Sequence, residues 1–548
     1  MKLLLLILTF VMSLGVRAQF DTERIMKVGR NALYFEDYVL SIQYFNTVIN
    51  SKPYLYEPYF YRGLAKFHLE DYSGAEADCT AAIERNPYFP NSYQVRGLAR
   101  INMNNYAAAA EDYAVAVELE PEEKSLWHNW ALCYIEQKNM EKADSVLDMM
   151  IGKWSKYADG YCMKAEIKLQ QNDTVTAEAI IDKAIAADPY HVPSLSLKAS
   201  MLMAHEDYVM AEKTLDEAIR LQPKSPRNII NRALCRYHQN DFRGAMRDYD
   251  LALEMDSMNF IGHYNRGLLR ANVGEDNLAI EDFNFILRVD SSDMMATFNR
   301  AVLLDQTGDY RGAIRDYTTV IREYPNFLQG YQRRAIARRK IGDERGALKD
   351  EEHVLREQIA HRYGYATPTN RQKMKTRKKS EINLEEYQKL VVADNEETEK
   401  VYESEYRGKI QNREAEMKLL SPVSLAAFKI DAKMSNPHFD KGLEHLLCGE
   451  NELAINEFGQ SISVAPELAE AYYNRAYAYA MQKKYGEAIA DLDTAVTMRP
   501  SFSQAYFNRG VLHVFIGDND KAIPDFSKAG ELGEFSAYSI IKKIQKKK

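Results

Sequence analysis

One period governs this chain. Pro53, Pro87 and Pro121 stand 34 residues apart, and Pro189, Pro223 and Pro325 keep the same count, with Ser155, Ser257 and Ser291 in the remaining slots. Pro466 and Pro500 restart it. Twelve residues before each slot stands a small residue: Ser41, then Ala75, Ala109, Ala143, Ala177, Ala211, Ala245, Ala279, Ala313 and Ala347, and later Ala454, Ala488 and Ala522. Twelve residues earlier again comes Gly or Ala, as in Gly63, Gly97, Ala233, Gly267, Gly442 and Gly510. Ten copies fill residues 22–361 without insertion or deletion, and three more fill 435–536. Length alone, 548 residues, suggests three or four domains at about 150 residues each. The period replaces that expectation with a stack of like pieces.

Each copy reads as two antiparallel helices. Asn or Gly follows the first helix, as at Asn104, Asn240, Gly274 and Gly308, and both tolerate the left-handed conformation that ends a helix. Asp71, Asp207, Asp241 and Asp309 then stand where a second helix needs its N-cap. Apolar residues recur at helical spacing, as in Ala75, Cys79 and Ala82, and Pro stops the second helix. Only 26 Gly and 16 Pro occur, and mean hydropathy is −0.45, which fits a mostly helical soluble chain.

A 34-residue helix–turn–helix with Gly or Ala early, Ala later and Pro at the end resembles the tetratricopeptide repeat family. Tyr264-Asn265-Arg266-Gly267 and Tyr472-Tyr473-Asn474-Arg475-Ala476 look like its first-helix signature. The resemblance implies an all-α superhelical solenoid of about 13 repeats. It also implies a concave groove in which first-helix positions hold extended peptides or partner helices. Residues 537–548, apolar at Tyr538, Ile540, Ile541 and Ile544, resemble a closing helix.

Numbering each repeat so that the later Ala is position 20 exposes a pairing. Position 7 is Arg in eight repeats (Arg62, Arg96, Arg232, Arg266, Arg300, Arg334, Arg475, Arg509). Position 23 in the same eight is Asp78, Asp112, Asp248, Asp282, Asp316, Asp350, Asp491 and Asp525, and Lys441 goes with Glu457. Repeats 1, 4, 5 and 6 lack both members. We expect an ion pair joining the two helices of a repeat, structural rather than ligand-binding. Repeat 4 holds all three tryptophans, and Trp130 occupies the Arg slot, where an apolar contact is expected instead.

Position 6 supplies the candidate peptide-binding residues. Asn231, Asn265 and Asn299 form a ladder through repeats 7–9, Arg333 follows, and Asn474 and Asn508 stand in repeats 12 and 13. Position 5 adds Tyr264 and Phe298, and Tyr473 and Phe507 in the later array. An amide donates and accepts, so it can pair with the backbone of any sequence, and aromatic neighbours add apolar contact. The alternative is local hydrogen bonding within the array. The Lys–Asn pattern of chaperone-tail binders is absent beside this ladder.

Residues 362–434 break the period. Arg371 to Lys379 is basic, 381–405 is acidic, and alternation over 401–410 with 414–420 suggests a β-hairpin. At the N-terminus, Lys2, the apolar run Leu3–Leu14 and Val16-Arg17-Ala18 read as a secretory signal over 1–18, with a mature chain starting at Gln19. A signal peptide joined to this array is similar to secreted or periplasmic repeat proteins of Bacteroidetes-type bacteria. No later segment has the length and apolarity of a membrane span.

Enzyme signatures such as G-x-x-x-x-G-K-[ST], H-E-x-x-H and G-x-S-x-G do not occur. The five cysteines show no metal-ligand spacing and read as small buried apolar residues, and His438 and His445 lack a third ligand. No cofactor and no metal is expected. A net charge of −8 gives no reason to expect nucleic acid. The leading expectation is a non-enzymatic, extracytoplasmic scaffold binding a protein or peptide. The alternative is an envelope structural protein that binds a carbohydrate or anionic component through 362–434.

Overall fold

Sequence repetition becomes repetition of helix pairs. The computed structural model describes residues 22–363, 418–424 and 437–545, and these contain 27 helices and no strand. The signal segment and most of the 362–434 insert, including the expected hairpin apart from Lys418–Leu420, lie outside the described residues. Residues 418–424 have no regular secondary structure.

Repeat 8 illustrates the local logic. Its first helix, Phe260–Val273, ends at Gly274 with φ +85°, and the second, Asp276–Val289, follows at once. The same slot, position 15, is left-handed in each of the other repeats, yet it holds Glu at 36, 70 and 206 and Lys at 138 and 483. Asn and Gly were expected there, and the Glu and Lys residues adopt the conformation against their Cβ preference. The stack around them fixes the turn. The N-caps stand as expected: Asp71, Asp241 and Asp309 accept from the backbone N–H of Gly74, Gly244 and Gly312 at 2.9, 3.0 and 2.9 Å.

The small residues at position 20 are fully buried and let the two helices close together. Packing size is matched across each pair. Where position 24 is Phe (Phe45, Phe283, Phe458, Phe526), position 8 is Gly (Gly29, Gly267, Gly442, Gly510). A Cβ at any of those glycines would stand 2.7 to 3.2 Å from the ring, so the ring fills space a first-helix side chain would need.

The chain divides into two bodies, residues 1–150 with 414–548, and residues 151–413. In the second, repeats 7–9 share one apolar cluster through Ile229, Ile230, Tyr249, Tyr264, Phe283 and Leu303. In the first, repeats 1 and 2 meet repeat 13. Ile42 and Ala65 of repeats 1 and 2 belong to the same cluster as Phe507, Phe526, Tyr538 and Ile541. The helix Ser536–Gln545 therefore does more than close repeat 13, because its apolar face shares a core with the first repeats.

A buried charge network accompanies that core. Lys66 Nζ lies 3.0 Å from both Asp78 and Glu531, and Arg62 lies 3.4 Å from Glu531. Asn46 Nδ2 donates to the Glu531 carbonyl at 2.8 Å, and Ser527 Oγ donates to Asp71 at 2.5 Å. At the rim Lys542 meets Glu70 at 2.6 Å.

Candidate functional site

The repeated Arg–Asp pairs are structural. All eight are two-pronged: in repeat 8 the Arg266 Nε and Nη2 donate to the two oxygens of Asp282 at 3.1 and 2.7 Å. Arg300 does the same to Asp316 at 2.7 and 2.9 Å, and Arg509 to Asp525 at 2.9 and 2.5 Å. The remaining Nη1 turns to the second helix of the preceding repeat. It reaches Asp250 from Arg266 at 2.8 Å, Asn284 from Arg300 at 2.7 Å and Thr318 from Arg334 at 2.9 Å. Each such guanidinium ties three helices, whereas the sequence pairing accounted for two.

A second basic position also escaped the sequence reading. Arg100, Arg236, Arg270 and Arg338 reach the same Asp carboxylates at 2.7 to 2.9 Å. Burial pushes the Asp282 carboxyl up, but hydrogen bonds from His263 and Arg266 and the charges of Arg266 and Arg270 outweigh it and hold it below its ordinary value. Glu457 takes its hydrogen bond from His438 Nδ1 at 2.8 Å, and that bond, with the charges of His438 and the expected partner Lys441, holds its carboxyl below the ordinary value. Trp130, in the Arg slot of repeat 4, packs on Trp127 and Tyr134 with ring centroids 5.8 and 6.3 Å apart.

Two position-6 amides grip a length of main chain. Asn508 accepts from the Leu420 N–H at 2.7 Å and donates to the Leu420 carbonyl at 3.1 Å. Asn474 does the same to Val423, at 2.9 and 2.8 Å. The Tyr473 hydroxyl donates to the carbonyls of Leu420 and Ser421, both at 3.1 Å, and accepts from Asn508 Nδ2 at 2.8 Å. Burial pushes the Tyr473 phenol up, which keeps it protonated as a donor. Leu419 and Val423 pack against the buried cluster of Tyr473, Leu492 and Phe502, and Leu419 and Leu420 against that of Phe507, Val511 and Phe526.

The path of this segment has a local cause. Pro422 fixes its own φ and biases Ser421 away from the helical region. Pro422 also brings no N–H that would need a partner. Residues three apart face the same way in a polyproline II chain, the spacing at which Asn508 and Asn474 take Leu420 and Val423.

The second body repeats the arrangement. Tyr264, Asn265 and Asn299 occupy the same repeat positions as Tyr473, Asn474 and Asn508, and Asn299 Nδ2 donates to the Tyr264 hydroxyl at 3.4 Å. Phe298, like Phe507, is buried beside its Asn, and Asn231 is buried one repeat earlier. What lies beneath the amides differs. The Tyr249 hydroxyl sits under Asn265 and the Tyr317 hydroxyl under Arg333, whereas 16 residues before Asn299, Asn474 and Asn508 stand the apolar Phe283, Phe458 and Leu492.

Other chemistry is sparse among the described residues. No cluster of three His, Cys, Asp or Glu side chains could hold a metal ion. Asp159, His191 and Ser194 stand in the order of a hydrolytic triad, at 3.0 and 2.7 Å, with Cys162 at 3.0 Å from Ser194. Ser194 is completely buried, however, so no substrate reaches its Oγ, and the group serves as a polar tie between repeats 5 and 6. Four cysteines are buried as expected, but Cys448 is exposed, because it lies in the last turn before the left-handed Gly449.

Family models described as tetratricopeptide repeat match residues 95–158, 295–326, 469–502 and 503–532. These segments are tetratricopeptide repeats. No curated protein matches the chain. Among solved structures it is similar to pilF of Pseudomonas aeruginosa, at 18% identity and TM-score 0.35, over 38% of this chain and 94% of that one. It is also similar to the C-terminal part of a tetratricopeptide repeat protein from Cytophaga hutchinsonii, at 15% identity and TM-score 0.35, over 43% and 97%. A tetratricopeptide repeat protein from Parabacteroides merdae matches at 17% identity and TM-score 0.26, over 65% and 98%. No described helix of the tetratricopeptide array is long and apolar enough to cross a membrane.

Proposed function

We propose that this chain is a non-enzymatic scaffold that holds an extended peptide or a partner protein along the first helices of its tetratricopeptide repeats, on their concave side. The supporting observation is the grip of Asn474, Tyr473 and Asn508 on residues 420–423. Its six hydrogen bonds to the segment all go to main-chain atoms. A side-chain amide presents a donor and an acceptor side by side, as a neighbouring strand does, so it recognises backbone whatever the side chains. Specificity then falls to the apolar lining. By position, Tyr264, Asn265 and Asn299 form a second such clamp, with Asn231, Phe298 and Arg333 extending the track.

The test is a cross-linking pull-down from the native cell envelope with the wild-type chain and with Asn265→Ala/Asn299→Ala. Loss of the partner is expected, and unchanged recovery removes the track. The envelope is the proposed location because of the Leu3–Leu14 run and the Val16-Arg17-Ala18 site, so protein purified from those cells should begin at Gln19 on N-terminal sequencing.

A further inference from the structure

We infer that residues 418–424 are an intramolecular ligand of the repeat 12–13 clamp, and that the partner of this clamp is a chain of the same chemistry that takes their place. This rests on the reading of the clamp as a peptide site. The segment behaves as a bound peptide would. Its main chain at Leu420, Ser421 and Val423 is held by side chains, those of Asn508, Tyr473 and Asn474. Because those bonds are blind to sequence, any chain following the same path satisfies them equally.

The lining defines the ligand class. Apolar side chains are needed at Leu419, Leu420 and Val423, which pack against the buried cores around Tyr473, Leu492 and Phe502 and around Phe507, Val511 and Phe526. Between the two clamped residues no N–H is used, so Pro is accepted where Pro422 stands and preorganises the chain. The expected ligand is therefore an extended apolar–apolar–x–Pro–apolar stretch without a required charge. Tethering gives the internal segment an effective concentration in the millimolar range, so it suppresses binding of a free peptide of micromolar affinity by on the order of 100-fold.

The experiment uses the full chain and a fluorescein-labelled peptide of residues 418–424, followed by anisotropy. Wild type is compared with Leu420→Ser/Val423→Ser, and with a chain in which 418–424 is replaced by Gly-Ser of equal length in case the double variant misfolds. Binding at least 10-fold tighter to either altered chain than to wild type, abolished by adding Asn474→Ala/Asn508→Ala and absent with a scrambled peptide, is the expected result. Equal affinity for wild type and altered chains, still sensitive to the Asn substitutions, overturns internal competition and leaves the peptide site standing. No binding to a folded Gly-Ser chain overturns the peptide site itself. Equal binding of the scrambled peptide overturns the ligand class.

Discussion

Arg266 and Arg300 occupy the same slot but their carboxylates are not equally provided for. Asp282 receives Arg270 and His263 as well as Arg266, at 2.7 to 3.1 Å, whereas Asp316 takes its bonds from Arg300 alone among the described residues. Removing one partner of a buried pair is costly because the other charge is left uncompensated. Arg300→Met should therefore destabilise its array by about 3 kcal/mol and Arg266→Met by roughly half that. Urea denaturation of the two variants checks the order, and equal losses would contradict it. The Arg–Asp correspondence was legible because both members vary together between repeats. The third contact, to the preceding repeat, was not, because its acceptor is Asp, Asn or Thr and leaves no single-residue signal. Thiol chemistry is another residue-scale matter. Burial pushes the Cys133 and Cys235 thiols up to about 12 and Cys162 to about 11, so thiolate is scarce there at neutral pH. Native-state maleimide labelling should modify one thiol per chain, Cys448; a second label on the folded chain would show that a buried site opens.

At the scale of the element, the helix pair is almost fully written in the sequence. Gly against Phe, Asp at the N-cap and Pro at the end specify lengths and turns with little help from outside. The left-handed slot is the exception. Glu206 sits at φ +61° and Lys483 at +60°, conformations in which a side chain costs about 1 kcal/mol relative to Gly. Glu206→Gly should stabilise the chain by roughly 0.5–1 kcal/mol, seen as a higher melting temperature. A fall in melting temperature would mean the lost Glu206 side chain outweighs the relieved backbone. At this scale the candidate site was half legible. Position 6 was singled out because Asn recurs, but which Asn meets main chain among the described residues is decided by where residues 418–424 run.

At the scale of the whole molecule, the junction within the first body concentrates ionic chemistry in a nearly dry place. Burial pushes the Glu531 carboxyl up, but the charges of Lys66, Arg62 and Lys528 more than offset it and hold it well below the ordinary carboxylate range. A lowered folded value contributes stability that is complete above the unfolded value near ~4.3 and is lost as pH falls below it. Glu531→Gln should cost roughly 3 kcal/mol at pH 7, and its gap to wild type should narrow as pH drops below about 4.3. Denaturation at pH 7, 5 and 3.5 measures this, and a constant gap would sink the argument. Asp71 has the opposite sign. Burial raises it, so its contribution is present at low pH and fades as pH rises through the folded value.

The sequence by itself determined the helix pairs, their register, their caps and the ion pair within each, because all of these repeat every 34 residues and repetition is visible in one chain. Tertiary structure alone decided two things. Repeats 1 and 2 share a core with repeat 13 and the helix Ser536–Gln545, and residues 418–424 lie across repeats 12 and 13. Both are single events between residues distant in the chain. Asn46, Lys66 and Asp71 look like ordinary repeat residues until Glu531 and Ser527 arrive beside them, and Leu420 reads as the end of a strand and Val423 as linker until Asn508 and Asn474 close on their backbone. A backbone-directed contact selects no side chain, so it leaves no pattern from which it could be read.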